Sequence, residues 1–324
     1  MIILAQMTKI FSHYIRKILD SFRDSIRVIK HYDLIKLNGH VIIFKIFIIK
    51  FFYSFSFIRN FKKIIYRNEI INSNFFEKDS VNIDEDLKQI DELGYSKIYN
   101  IKDKTKNQIL DMVLNCENLD LKKIDFPISE ILKKKDEELE EYLERLKEKK
   151  VSRITGSIDL KNNSILRELL TSTEMLTLVK NYLNTKVISI NASFFISNPV
   201  ITTNEEKYSN AQYFHWDNDF TKFIKFYVYL SDVDDYAGPH IFVEKSHKYK
   251  KREHRLCRLF SDHNINQNYK NIKKFTGKSG SAFFEDSYGL HKGEPPKTKS
   301  RIILNVHFGA NKILYSSNDI ILNL

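Results

Sequence analysis

Between residues 186 and 308 the chain carries short runs of β-branched and aromatic residues separated by turn formers, and this pattern restricts its fold most. Lys186–Ser197 ends at Asn198-Pro199, and Phe223–Leu230 ends in a stretch rich in Asp that closes with Gly238-Pro239. Shorter strand candidates follow at His240–Val243, Ser281–Glu285 and Arg301–Phe308. Short strands punctuated by Gly, Pro, Asn and Asp favour two packed antiparallel sheets over long parallel ones. The expected class is α+β: a double-stranded β-helix, a jelly roll or cupin-like barrel, flanked by helices. Such a barrel brings residues far apart in sequence to one mouth. Arg301 is expected to open the final strand and point back towards that mouth.

His215-Trp216-Asp217 lies between two strand-like runs, His291 follows at a distance, and Arg301 stands ten positions after it. Two imidazoles and one carboxylate form the facial ligand set of non-haem Fe(II), which leaves coordination positions open. An arginine nearby suits bidentate recognition of a carboxylate. Spacing alone is weak evidence, because His31-Tyr32-Asp33 repeats the first motif and His13 with Arg23 and His247 with Arg258 mimic the second. Context separates them: Asp33 lies in a Lys/Ile-rich stretch that reads as helix, whereas His215 is flanked by strands.

Over residues 82–310 the chain resembles the phytanoyl-CoA dioxygenase (PhyH-like) family. The resemblance rests on ordered blocks: Leu87–Ser96, Ile165–Tyr182, Tyr213–Asp217, Phe226–Gly238, Ser246-His247-Lys248, Gly280–Phe284, then His291 and Arg301. It implies that His215, Asp217 and His291 are iron ligands and that Arg301 anchors the 2-oxoglutarate carboxylate. It also implies that Tyr227 lines the cosubstrate pocket and that Arg153, more loosely aligned, is a second basic contact. Glu244-Lys245 replace the family's usual Pro-Gly, and Ser281 replaces the Asp of its Gly-Asp; neither departure removes a ligand. Asp217 is retained where related halogenases carry a small residue, which argues for hydroxylation.

The resemblance implies an Fe(II)- and 2-oxoglutarate-dependent dioxygenase that uses O2 to hydroxylate a small organic substrate, releasing succinate and CO2. Two other classes stay open: a non-catalytic barrel-fold binding protein, and a membrane-surface scaffold acting through its N-terminal segment. His240, His247, His254 and His263 read as structural or solvent-facing. His307, on the last expected strand, is a candidate for substrate contact. Phe194, Phe195, Phe226 and Tyr227 stand at strand spacing and read first as core.

The formal charge of +11 is concentrated at one end. Residues 1–67 hold thirteen Lys/Arg against three Asp, a net +10, so the remainder carries only +1 and gives no reason to expect nucleic-acid binding. Residues 1–75 therefore read as a basic, hydrophobic, helical extension, 82–310 as the enzyme domain and 311–324 as a tail. Val41–Ile58 contains 13 Val, Ile and Phe residues together with Lys45 and Lys50. The apolar residues favour a bilayer by roughly 4–8 kcal/mol and Lys50 alone costs about 2.5–3.5 kcal/mol. Packing on the domain or a partner, peripheral membrane contact through residues 36–67, and a span all stay open. The apolar run starts late for a cleavable signal and lacks a small-residue cleavage site. Two distant cysteines, Cys116 and Cys257, suit a reducing, cytoplasmic compartment. Lys133–Lys150 reads as a charged helix with an apolar stripe of Leu139, Tyr142, Leu143 and Leu146.

Overall fold

The computed structural model describes residues 70–72, 75–77, 80–120, 126–185, 187–217, 222–255, 259–310 and 320–323, with Ile15 and Ile48. The basic extension, its Val41–Ile58 run and residues 311–319 otherwise lie outside the described residues. Among the described residues no helix is long and apolar enough to cross a membrane.

A short pair, β1 (Ile70–Asn72) and β2 (Ser80–Asn82), precedes helix α1 (Ile83–Leu93). Asn82 caps α1 by accepting the Glu85 amide, and Asp84, Glu85 and Asp86 load its first turn with negative charge. Gly94 ends it at φ 101°, a conformation open to glycine. Then come β3 (Tyr99–Asn100), α2 (Asp103–Leu114), α3 (Ile128–Ile131), α4 (Leu139–Glu148), β4 (Arg153–Ile158), α5 (Ser164–Leu170) and α6 (Thr173–Leu183). The barrel follows: β5 (Val187–Ser197), α7 (Asn204–Ser209), β6 (Phe214–His215), β7 (Phe223–Tyr229), β8 (His240–Val243), β9 (Leu259–Phe260) and α8 (Asp262–Asn268). It ends with β10 (Ile272–Phe275), β11 (Ser281–Glu285), β12 (His291–Gly293), β13 (Arg301–Gly309) and β14 (Ile320–Asn323).

Apart from the β1–β2 pair, the described strands form the expected two antiparallel sheets. The larger runs β14-β5-β13-β7-β11-β3, with β4 beside β5, and the smaller runs β10-β8-β12-β6-β9. Alternation divides the larger sheet into two chemically distinct faces. Ile154, Ile190, Ala192, Phe194, Ile196, Ile224, Phe226, Val228, Ile302, Leu304, Val306 and Phe308 are buried in one apolar core, shared with Ile83, Leu87 and Ile90 of α1 and Leu178, Val179 and Tyr182 of α6. The opposite face turns into the barrel. There Tyr95, Tyr227, Tyr229, Phe242, Phe275, Phe283 and Ile303 form a second cluster between the sheets, with Phe275 and Phe283 stacked at 3.9 Å.

Several expectations change. Arg301 opens β13, but β13 is not the last strand, because residues 320–323 return to pair with β5 as β14. The charged segment 133–150 is helical only over Leu139–Glu148. Arg145 folds back to grip Glu137 bidentately and to donate to the carbonyls of Glu130 and Leu132, which holds the preceding residues outside the helix. Its stripe behaves as expected: Tyr142 and Leu146 are buried, with Leu139 and Leu143 packed against the same core. Phe76 is buried and bridges to Ile101. Of the four aromatic positions, Phe194 and Phe226 face the helices, while Phe195 and Tyr227 face the barrel interior.

Candidate metal centre

His215 and His291 are Cα partners across β6 and β12, so both imidazoles leave the same face of the smaller sheet, with ring centroids 4.3 Å apart. Asp217 follows β6 by two residues, and its backbone N–H donates to the Ser287 carbonyl at 2.9 Å, which fastens that residue to the chain just after β11. One ligand atom from each of His215, Asp217 and His291 lies within 4.8 Å of the other two. Asp217 Oδ1 is 3.9 Å from His215 Nε2, and Oδ2 is 3.4 Å from His291 Nε2.

The tautomers follow from the hydrogen bonds. His215 Nδ1 is 2.9 Å from the Tyr213 carbonyl, and His291 Nδ1 is 2.9 Å from the Gly289 carbonyl. A carbonyl only accepts, so each Nδ1 carries the proton and each Nε2 keeps its lone pair for a metal. Burial drives the His215 pKa well below the ordinary histidine value, which keeps that ring neutral. Burial by itself would raise the Asp217 pKa, but the charges of Lys225 and the imidazoles hold it well below the usual carboxylate range. Burial opposes protonation of His291, while Asp217 beside it raises its basicity, so the centre is electrostatically set for positive charge.

The Ser246-His247-Lys248 block supports this geometry without entering it. Ser246 Oγ accepts the N–H of Leu290, directly before His291, and donates to the Val243 carbonyl. His247 Nε2 donates to the Asp91 carbonyl at the end of α1, and Lys248 pairs with the Asp91 side chain. The turn after β8 is thereby tied to both α1 and the strand that carries His291. His254 is likewise structural, between Tyr269 and Asn264. His263 is exposed.

Arg301 and Arg153 open β13 and β4, and both are Cα partners of Ser197 on the strand between them. Asn198 fixes that row: its side-chain N–H donates to the Val151 carbonyl and its oxygen accepts from Ser300. Arg153 lies over the Phe195 ring at 3.9 Å and donates to the Asn210 carbonyl. Nε and Nη1 of Arg301 and Nε of Arg153 are buried without a hydrogen-bond partner. Burial and the neighbouring Arg301 push the Arg153 pKa down to about 9. Two desolvated guanidinium groups with unused donors could receive an anion, most simply a carboxylate. Gly293, two residues after His291, leaves them room, since a Cβ there would sit 2.9 Å from Arg301 Nη2. Tyr227 is near enough to both guanidinium groups to favour their charged forms.

These donors fit iron and a dicarboxylate: two neutral nitrogens and one carboxylate for a hard-to-borderline metal, and a cationic pocket with buried N–H groups unused. The sequence reading did not single out two further buried groups, Lys225 and Glu285. Lys225 Nζ donates to Asp217 Oδ2 at 2.5 Å, and His240 Nε2 lies 2.8 Å from Glu285 Oε2 across the barrel. Burial raises the Glu285 pKa to about 8 and lowers that of His240, so the pair is held by one shared proton. The available signal was charge at odd places: a lysine inside an otherwise apolar seven-residue strand and a glutamate closing another.

The family model described as phytanoyl-CoA dioxygenase (PhyH) matches residues 125–303. The sequence comparison with curated proteins returns no match. Among solved structures, HygX from Streptomyces hygroscopicus, with nickel and 2-oxoglutarate bound, is 12% identical, over 69% of this chain and 86% of that one, at a TM-score of 0.46. The α-ketoglutarate-dependent epimerase SnoN from nogalamycin biosynthesis is 11% identical, over 70% and 80%, at 0.46. EctD from S. alaskensis, with bound Fe, is 12% identical, over 75% and 84%, at 0.45.

Proposed function

Because the chain belongs to the phytanoyl-CoA dioxygenase family, we propose that it is an Fe(II)- and 2-oxoglutarate-dependent oxygenase that hydroxylates a small organic molecule, with release of succinate and CO2. The observation that carries this reading is the convergence of His215, Asp217 and His291 on one point, with both Nε2 lone pairs facing it. Those three side chains would hold the metal. Arg301, helped by Arg153, would receive the far carboxylate of 2-oxoglutarate, and Tyr227 would line the passage between.

Ferrous iron, when bound, supplies the chemistry that couples O2 to oxidative decarboxylation of the cosubstrate and to oxidation of a C–H bond. The protein contributes binding and order. The Tyr213 and Gly289 carbonyls fix the ring orientations of the two histidines. The guanidinium pair, with the row that Asn198 clamps, would set where the cosubstrate lies. The apolar cluster of Tyr229, Phe275 and Phe283 would keep water from the barrel interior.

The test is succinate release from 2-oxoglutarate by the purified full-length chain, with and without Fe(II), and by His215→Ala. Iron-dependent release that His215→Ala abolishes supports the reading. Release by the variant at the wild-type rate, or none from the iron-loaded wild type, refutes it and favours a barrel that binds without turnover.

A further inference from the structure

Lys225 is chemically foreign to its strand. All seven residues of β7 are buried, and an ammonium group taken from water into such surroundings is unfavourable unless paired. Alternation places Ile224, Phe226 and Val228 in the helix-side core and Lys225 on the other face, with Tyr227 and Tyr229, towards the metal centre. Its partners in the row across the sheet are Glu285 on β11 and His307 on β13. Glu285 is the nearest carboxylate by register, yet its Oε2 is engaged with His240 and its Oε1 has no hydrogen-bond partner. Lys225 reaches across to Asp217 Oδ2 instead, with both side chains about a tenth exposed.

Resting on the iron reading above, we propose that Lys225 is a positioning residue that occupies one oxygen of Asp217, presents the other to the metal, and biases bound iron towards the ferrous state. Lysine offers only donors, so the oxygen it holds has less electron density to give a metal. Two neutral imidazoles and one carboxylate sum to −1; with the ammonium the ligand environment sums to zero. An added positive charge disfavours any cation in proportion to the cation's charge, so ferric iron loses more than ferrous. Weaker donation by the carboxylate acts in the same direction. The same charge favours a dianionic cosubstrate. A lysine that merely filled space would be replaced without consequence by methionine, which has similar length and no charge.

The experiment loads the full-length protein with Fe(II) anaerobically, without 2-oxoglutarate. The ferric fraction is then followed against redox dyes by its EPR signal. Lys225→Met is expected to raise the ferric-to-ferrous ratio at a given potential by at least roughly tenfold. Lys225→Arg, which keeps the charge, is expected to stay within about threefold of wild type, on the same electrostatic ground. A ratio in Lys225→Met equal to wild type, or shifted towards ferrous iron, overturns the proposal. If that variant does not fold, Lys225→Gln, which keeps a donor and loses the charge, is titrated with the same expected direction and the same overturning result. His215→Ala separates the two layers of argument. Unimpaired iron binding without that imidazole defeats the iron reading itself; a wild-type-like Lys225→Met with iron binding still dependent on His215 defeats only the role of Lys225.

Discussion

His215 and His291 stand directly opposite one another across a two-strand pair, and each donates its Nδ1 proton to the carbonyl two residues before it. The same local device therefore orients both rings, and the ladder, not a flexible loop, sets their separation. A metal should bind here without rearrangement of either imidazole. Ni(II) or Mn(II) is expected to raise the melting temperature of the wild type by several degrees, and the rise is expected to vanish in His291→Ala. Equal stabilisation of both proteins by metal would place the ion elsewhere.

Arg301 and Arg153 share a row but not a duty. Arg301 has two buried nitrogens without partners, while Arg153 also holds the Asn210 carbonyl. A charge-assisted hydrogen bond contributes about 1.5–3 kcal/mol, so Arg301→Ala should raise the KM for 2-oxoglutarate by roughly 10- to 100-fold. Arg153→Ala should raise it less and should also loosen the segment around α7, read as earlier proteolysis there. The ordering of the two KM effects is the discriminating result.

His247 gives the fold a defined acid sensitivity. Burial lowers its pKa to about 4, while the unfolded chain keeps the ordinary value of 6.5. Above pH 6.5 the ring is neutral in both states and contributes nothing. Between 6.5 and 4 the unfolded chain binds the proton and the folded one does not, so stability falls as pH falls. The full effect is about 3 kcal/mol. Denaturant melts of His247→Gln across that window should show a pH slope smaller by about one proton. A slope identical to wild type would assign the sensitivity to other groups.

Phe226 packs edge-on against Phe76 and lies 4.7 Å from the Phe284 ring in the core between sheet and helices. Truncating a buried phenylalanine removes apolar contact and leaves a cavity, so Phe226→Ala should destabilise the domain by about 3–5 kcal/mol in denaturant unfolding. Phe226 is flanked by Lys225 and Tyr227 but faces away from them. If the variant folds at low temperature, metal-induced stabilisation should persist in it, because that core lies on the other side of the sheet.

Much of this was legible in the order of residues. β-Branched and aromatic residues over Lys186–Ser197, Phe223–Leu230 and Arg301–Phe308, bounded by turn formers, announced strands, and strands lie at those runs. The strands too short to show a period were not legible: β6 and β12 have two and three residues, and pairing alone makes them strands.

The sequence by itself determined which side chains could bind iron and a carboxylate, because that depends on the donor chemistry of each residue. It could not determine which distant groups meet. Lys225 and Asp217 are eight residues apart in the chain, while Glu285 is Lys225's own cross-strand partner, yet the ammonium pairs with Asp217. Register, the distance between two sheets and the prior claim of His240 on Glu285 decided that. These are properties of the packed barrel, because hydrogen bonding in a desolvated interior is a competition among all groups within reach, and only the tertiary fold sets who is within reach.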